Sequence, residues 1–442
     1  MVKLTSKKNI LYVTLAFIAV VLVWVSSNQY WGEGHWNNII KDDGNGYYAY
    51  LPAVFCYHDL SFGFFDGLAR DTSRPNLGYD YRIQVDGRVA DKYFAGTALA
   101  QMPFYGMAHL LSRWAGYPQD GYSALYLIFI HVATLFYAMA GLLLLILILK
   151  DFGVNENIVV WVLLATVFGT NLFHYIVNEP SMSHVYSFAF VSLFVFCFLR
   201  FFRKPSAKYL IAGFSVLGMI FLIRPVNIIV VAGLPFLTGS REHLIEGIRF
   251  VFRHFISLIV AVSVFFMFIS IQLIIYKIQT GSFIVYSYGA EDFNFTHPHM
   301  LSFLLSYRKG YLVYTPMALL AIAGGWYLYK ESAFRFLTWL IFLFLVVYVL
   351  SSWWMWFYGG SFSQRVMIDY WVFLAIPLGF LLEKNKYRKR LITIIALLIV
   401  VCQIQTYQYR TGYIHWSEMN KKRYWDNFLR IDKVIKKEPK EW

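Results

Sequence analysis

Lys41-Asp42-Asp43-Gly44-Asn45-Gly46-Tyr47-Tyr48-Ala49-Tyr50-Leu51-Pro52 opens the longest polar interval in a chain otherwise built of apolar runs. Two adjacent carboxylates precede two glycines. A half-apolar, aromatic segment follows, of the kind that lies along a membrane surface. Carboxylates beside a bilayer are costly unless they have a task or a partner. The residues around this stretch decide the fold class. The chain has 442 residues, 59% hydrophobic and 14% charged. Soluble globular chains run at about 25% charged. Apolar runs of about 17–25 residues recur along the chain, which marks an all-α polytopic membrane protein. A β-barrel would alternate residue by residue instead. The net charge of +14 implies no nucleic-acid partner, because Lys and Arg cluster between the apolar runs, where the positive-inside bias puts them. Cys197 and Cys402 lie in apolar runs and Cys56 in the first loop, so neither a disulfide framework nor a metal cluster is expected.

Upstream of the stretch, Lys3, Lys7 and Lys8 precede a first span, Ile10–Ser26, and place the N-terminus in the cytoplasm. No small-x-small cleavage site follows, so the segment reads as an uncleaved span rather than a signal peptide. Downstream, a large outer loop (27–122) carries two amphipathic pieces, Tyr47–Tyr57 and Thr97–Trp114. In the second, Leu99, Met102, Phe104, Met107, Leu110, Leu111 and Trp114 fall near helical spacing. A turn-rich stretch, Asp59–Lys92, separates them. The remaining spans are expected at Leu125–Leu149, Ile158–Ile176, a run ending at Arg200, Tyr209–Ile223, Val226–Leu237, Phe255–Tyr276, Tyr311–Tyr329, Phe336–Ser352, Val366–Leu382 and Leu391–Gln408. That makes about 11 transmembrane helices at the usual span length. A second large outer loop covers 277–310. The module 1–409 is followed by a polar tail, 410–442, expected outside although it carries Lys421, Lys422, Arg423, Lys433, Lys436 and Lys437.

This alternation puts Asp42, Asp43, Glu179, His184, Arg224, Arg308, Lys309 and Arg365 on one membrane face. A carboxylate among cations there suits a phosphorylated, lipid-borne substrate. Asp43 reads either as a general base or as a helix cap. Arg224, beside helix-breaking Pro225, reads as a phosphate ligand or as a snorkelling anchor. Arg308-Lys309 could anchor headgroups or hold the same phosphate. Trp353, Trp354 and Trp356 resemble an interface belt, but Gly359-Gly360-Ser361-Phe362-Ser363-Gln364-Arg365 after them reads as a binding turn. Arg365 would hold phosphate, and Asp369, four residues on, would orient it. Tyr47, Trp356 and Gln364 are candidates for sugar or acceptor contact. His174, Glu179 and His184 surround Pro180 with no standard metal-ligand spacing and read as a polar turn. No Walker loop, nucleotide fingerprint, nucleophile elbow or HExxH motif is present.

The first outer loop resembles that of the GT-C superfamily of integral-membrane glycosyltransferases. Asp43 stands early in the loop, before a helical segment, with Tyr47 four positions on. This is similar to the protein-mannosyltransferase and lipid A aminoarabinose-transferase branch. In that branch the Asp is usually followed by Glu; here Gly44 takes that place. The turn ending Ser363-Gln364-Arg365 also looks like the small-residue-plus-Arg turn of bacterial relatives. The resemblance implies a GT-C-like fold and a polyprenyl-phosphate-linked sugar as donor. It implies a site on the periplasmic face of a bacterial inner membrane, with Asp43 as base and Asp42 beside it. The acceptor would be a lipid, a glycan or a protein, and no metal or cofactor is required. Alternatives are a transporter or flippase of lipid-linked saccharides, and a polysaccharide ligase or polymerase using a diphosphate donor.

Overall fold

A computed structural model describes residues 8–32 and 34–438, with side chains from residue 10. Lys3, Lys7 and the side chain of Lys8, used above for orientation, lie outside the described residues. In chain order the main helices are α1 (Lys8–Tyr30), α2 (Gly44–Phe55), α3 (Gly96–Ala115), α4 (Ala124–Asp151), α5 (Glu156–Phe168), α6 (His184–Arg203), α7 (Ala207–Ile223), α8 (Phe255–Thr280), α9 (Met317–Glu331), α10 (Ala333–Ser351), α11 (Val372–Lys384) and α12 (Arg388–Arg410). Six of them, α1, α4, α6, α8, α10 and α12, are long and apolar enough to cross a membrane. Helices α5 and α7 and the segment Pro225–Thr238 are apolar but shorter. The chain is a helical membrane protein. Helix α6 is the hub, packed against α4 and α7, whereas α8 packs chiefly on α7 and leaves most of its surface outward.

Four expected spans are not continuous. Ile158–Ile176 breaks after Gly169 into α5 and a short helix, Leu172–Val177, whose Leu172 N–H bonds to Thr170 Oγ1. Tyr311–Tyr329 breaks at Thr315, because the residue before Pro316 is pushed out of helical geometry. Val366–Leu382 begins as a 3₁₀ turn, Arg365–Tyr370. Val226–Leu237 is a 3₁₀ stretch, Pro225–Gly233, followed by one helical turn. Each break bends the chain at the same end of the bundle, where the polar loops gather. At the other end Lys150 pairs with Glu156, Arg203 with Asp151, and Glu383 accepts from the Asn155 N–H.

The outer loop differs from a pair of surface helices. Every residue of α2 from Gly44 to Ala53 is buried, so α2 is an internal element and not an interfacial one. Helix α3 does lie at the surface, with its amphipathicity turned outward. Met102, Met107, Leu110, Leu111 and Trp114 are exposed, while Thr97, Ala100, Gln101, Tyr105, Ala108 and Ser112 pack inward. Gly96 lets α3 begin against α7: a Cβ there would lie 2.2 Å from the Leu222 carbonyl carbon. The turn-rich stretch contains a hairpin, β1 (Arg82–Val85) against β2 (Arg88–Asp91), closed by Asp86-Gly87, both at positive φ as a tight primed turn requires. It delivers Lys92 and Tyr93 to the site. The tail returns to this same end. Ile414, Met419 and Tyr424 cluster with Tyr314 and Phe362, and Gln408 Nε2 donates to the Asn427 carbonyl.

Candidate active site

Asp42 has φ +49, the left-handed region that a non-glycine residue seldom occupies. This kink starts α2 and leaves Asp43 at its N-cap position. The Asp43 carboxylate makes no capping bond. Its Oδ2 accepts from Arg365 Nη2 at 2.6 Å, and its Oδ1 from the hydroxyls of Tyr93 at 2.8 Å and Tyr79 at 3.2 Å. The capping reading therefore fails. Burial raises the pKa of Asp43; the charge of Arg365 and the Tyr93 hydrogen bond lower it by more, leaving it below the usual carboxylate value. Asp42 behaves oppositely: it is exposed at the surface, and partial desolvation followed by the charge of Glu179 raises its pKa. Both glycines after Asp43 are sites of close approach. A Cβ on Gly44 would lie 2.0 Å from Ser181 Oγ, and one on Gly46 would lie 2.2 Å from the Tyr93 ring. Packing against Ser181 leaves no room for a glutamate at position 44.

Asp43 opens into a cavity of about 860 Å³. Of the candidate site residues Asp42, Tyr47, Arg224 and Arg365 line it, together with Lys41, Tyr79, Lys92, Tyr93, Glu179, Tyr288, Trp353, Trp354, Arg410 and Trp416. Arg365 uses one nitrogen on Asp43; among the described residues its Nη1 has only Met182 Sδ, at 3.7 Å. The turn that carries it is fixed from several sides. Tyr175 Oη accepts from the Phe362 N–H, Asn171 Nδ2 donates to the Phe362 carbonyl, and Ser363 Oγ meets Thr315 Oγ1 at 3.0 Å.

Asp369 does not orient Arg365. It sits in a 3₁₀ turn, where three residues complete a turn and position i+4 no longer faces i. Fully buried, it instead holds Arg224: Oδ2 lies 3.5 Å from Arg224 Nη1 and accepts from Asn227 at 2.7 Å. His184 Nδ1 lies 2.9 Å from both Asp369 Oδ1 and Arg224 Nη1. The histidine pair flanking Pro180 thus divides, since His174 faces Glu179 at 3.2 Å.

Four expected site residues lie elsewhere. Arg308 donates to the carbonyl and hydroxyl of Ser417 and stacks on Phe357 at 3.5 Å, tying the tail down. Lys309 is buried, donates to the Ser361 carbonyl, and has its pKa pushed well down by burial; it braces the turn from behind. Trp356 faces His299 and Phe357 outside the cavity wall; Trp353 and Trp354 take its expected place. Gln364 is fully buried and does not line the cavity. Sequence reasoning missed Lys41, Tyr79, Lys92, Tyr93 and Arg410 as site residues. Lys41 was legible as the neighbour of the paired aspartates; the tyrosines and Lys92 arrive only through the hairpin.

These features define a polytopic helical membrane protein with a cavity at one end, lined by aromatic and charged residues around a carboxylate–guanidinium pair. No protein-family model and no curated protein matches the chain. Solved structures do. The chain is similar to ArnT from Cupriavidus metallidurans, solved bound to undecaprenyl phosphate, with 14% identity, TM-score 0.54, and 92% of this chain and 68% of ArnT covered. It is also similar to the archaeal oligosaccharyltransferase AglB from Archaeoglobus fulgidus, solved with an inhibitory peptide and a dolichol-phosphate. There identity is 12%, the TM-score 0.51, and the match covers 94% of this chain and 57% of AglB. The likeness is one of fold: the chain shares the overall helical architecture of these two membrane proteins.

Proposed function

We propose that this protein is an inverting glycosyltransferase that moves a sugar from a polyprenyl-phosphate donor to an acceptor hydroxyl, on the extracytoplasmic face of a bacterial inner membrane. The observation that carries the reading is Asp43. Its carboxylate is freed from helix capping, ionised beside Arg365 and open to a cavity large enough for a sugar and an acceptor group. Asp43 takes the acceptor proton as the acceptor oxygen bonds to the anomeric carbon, and the bond from that carbon to the carrier phosphate breaks. The phosphate leaves as a stable anion without a protonating acid. The spare N–H groups of Arg365, and Arg224 held by Asp369, are the cations suited to that developing charge. Support from the fold comes from neighbours solved with undecaprenyl phosphate and dolichol-phosphate.

The test is sugar release by purified protein from a panel of polyprenyl-phosphate sugars. Asp43→Asn is expected to lower turnover by about 10²–10⁴-fold, the usual contribution of a positioned base, with Asp42→Asn close to wild type. Full activity in Asp43→Asn would remove the base assignment. No turnover of any lipid donor, with crude acceptor extract added, would favour the flippase reading.

A further inference from the structure

At the end of the bundle opposite the cavity, the chain forms a helix, Arg241–Arg253, just before α8. Ser240 starts it by accepting from the His243 N–H at 3.3 Å. His254, at φ −109 and ψ 54, breaks it from α8. With 13 residues and charges at both ends, it is too short and too polar to span a bilayer. Its inner side packs on the last turn of α6. A Cβ on Gly247 would lie 2.6 Å from the Phe202 ring, and Phe250 meets Phe201 at 5.7 Å between centroids. Leu244 and Val251 are half-buried on the same core.

The outer side carries an apolar ridge. Ile248 and Phe252, four apart and so on one face, are both exposed, Phe252 to 72%. The ridge continues into α8, where Phe255, Ile256 and Ile259 are exposed, Ile256 to 78%. Helix α8 is long and apolar enough to cross a membrane and turns most of its surface outward, so the ridge extends a lipid-facing surface. Arg249, three residues before Phe252, flanks the ridge, and Arg253 stands one turn further on. Both are exposed, and among the described residues neither enters an ion pair. Arg203 nearby is by contrast paired with Asp151. Glu242 and Glu246 occupy the N-terminal half of the polar side. Unpaired positive charge therefore gathers at the C-terminal half, next to the start of α8. A layer with acyl chains below and phosphates above suits both features: the ridge leaves water, and the guanidinium groups meet phosphate oxygens.

We infer that the helix Arg241–Arg253 is an interfacial anchor whose partner is the phospholipid headgroup layer of the leaflet opposite the cavity. Ile248 and Phe252 enter the acyl boundary, and Arg249 and Arg253 lie on lipid phosphates. The inference does not depend on the glycosyl-transfer reading. A second copy of the chain would bury the ridge without bringing phosphate to the arginines.

The experiment uses the full chain carrying Cys56→Ser, in vesicles of phosphatidylcholine and phosphatidylglycerol; Cys197 and Cys402 are buried. Glu246→Cys, Ile248→Cys, Arg249→Cys and Phe252→Cys, one at a time, each carry a nitroxide. Its depth is read from collisions with oxygen and with a water-soluble nickel chelate. All four positions are exposed, so the label displaces no packed side chain. Labels at 248 and 252 should lie about 5–10 Å below the lipid phosphates, and those at 246 and 249 at or above them. Four labels in water overturn the inference. So does a 252 label closed to both oxygen and chelate, or broadened by a neighbouring nitroxide, since a second copy then covers the ridge. Arg249→Glu with Arg253→Glu should bring the 252 label nearer the phosphates. An unmoved label overturns the contact between these arginines and lipid.

Discussion

At the scale of the residue, the balance of forces on Asp43 sets the expected pH behaviour. Burial favours its neutral form, and Arg365 with Tyr93 favours the anion more strongly. The acid limb of kcat/KM is therefore expected below the ordinary aspartate value of about 3.9. Arg365→Gln removes the larger lowering influence and leaves burial in place. Its acid limb should rise above that of the wild type, with a rate loss of about 10²–10³-fold for one lost charge-stabilising donor group. A pH profile of both proteins checks this, and an unmoved limb would detach Arg365 from Asp43. Glu179 has the same sign. Burial pushes its pKa up, but Lys41 and the His174 hydrogen bond outweigh burial and hold it at about 2. Its contribution to stability is thus complete above its unfolded value of about 4.3 and fades as pH falls through the folded one. Melting temperature between those limits should fall less steeply in Glu179→Gln than in the wild type.

Elements explain which parts of the site were legible. Long apolar runs such as those of α4, α6 and α8 have a single reading, and the lysines and arginines between them are the basis of the proposed orientation. The breaks were hidden, because Gly169 and Pro316 also occur inside continuous membrane helices, where neighbours re-satisfy the freed backbone groups. Asp369 was misread because a spacing of four implies a shared face only in an α-helix. The apolar stripe of α3 was visible, but it is exposed and the small, polar side faces protein, the arrangement expected of a helix at a membrane surface. The two glycines of α2 were noticed without a purpose, which the ring of Tyr93 and the side chain of Ser181 now supply. Gly46→Ala should push Tyr93 off Asp43 and cost about 1–3 kcal/mol, as overpacking does. Denaturation in detergent would measure the loss, and an acid limb shifted upward would report the displaced hydroxyl. Arg308→Ala should behave differently. It frees the tail at Ser417, lowers thermal stability and leaves the donor KM unchanged; a raised donor KM would return Arg308 to phosphate binding.

For the whole molecule, the tail and the first loop meet at one end, and that end is set opposite the basic cluster around Arg203 and Arg335. Cys56 is half-buried in the first loop, while Cys197 and Cys402 are buried. In spheroplasts, a membrane-impermeant thiol reagent should label Cys56 without permeabilisation. A cysteine introduced by Lys422→Cys, on an exposed part of the tail, should be labelled from that same side. Labelling of either only after permeabilisation would invert the proposed orientation or separate tail from loop. The outward apolar side of α3 adds a constraint of another kind. Trp114 is 90% exposed, and a helix presenting such a side rests on lipid. On the proposed orientation this side of α3 would moor the loop at the bilayer surface rather than hold it above. If the proposed donor rides in that leaflet, the membrane is the level against which the site is hung, and the donor would meet Asp43 at a height set by lipid thickness. On the proposed reading, the bilayer itself would bring donor and site to one plane.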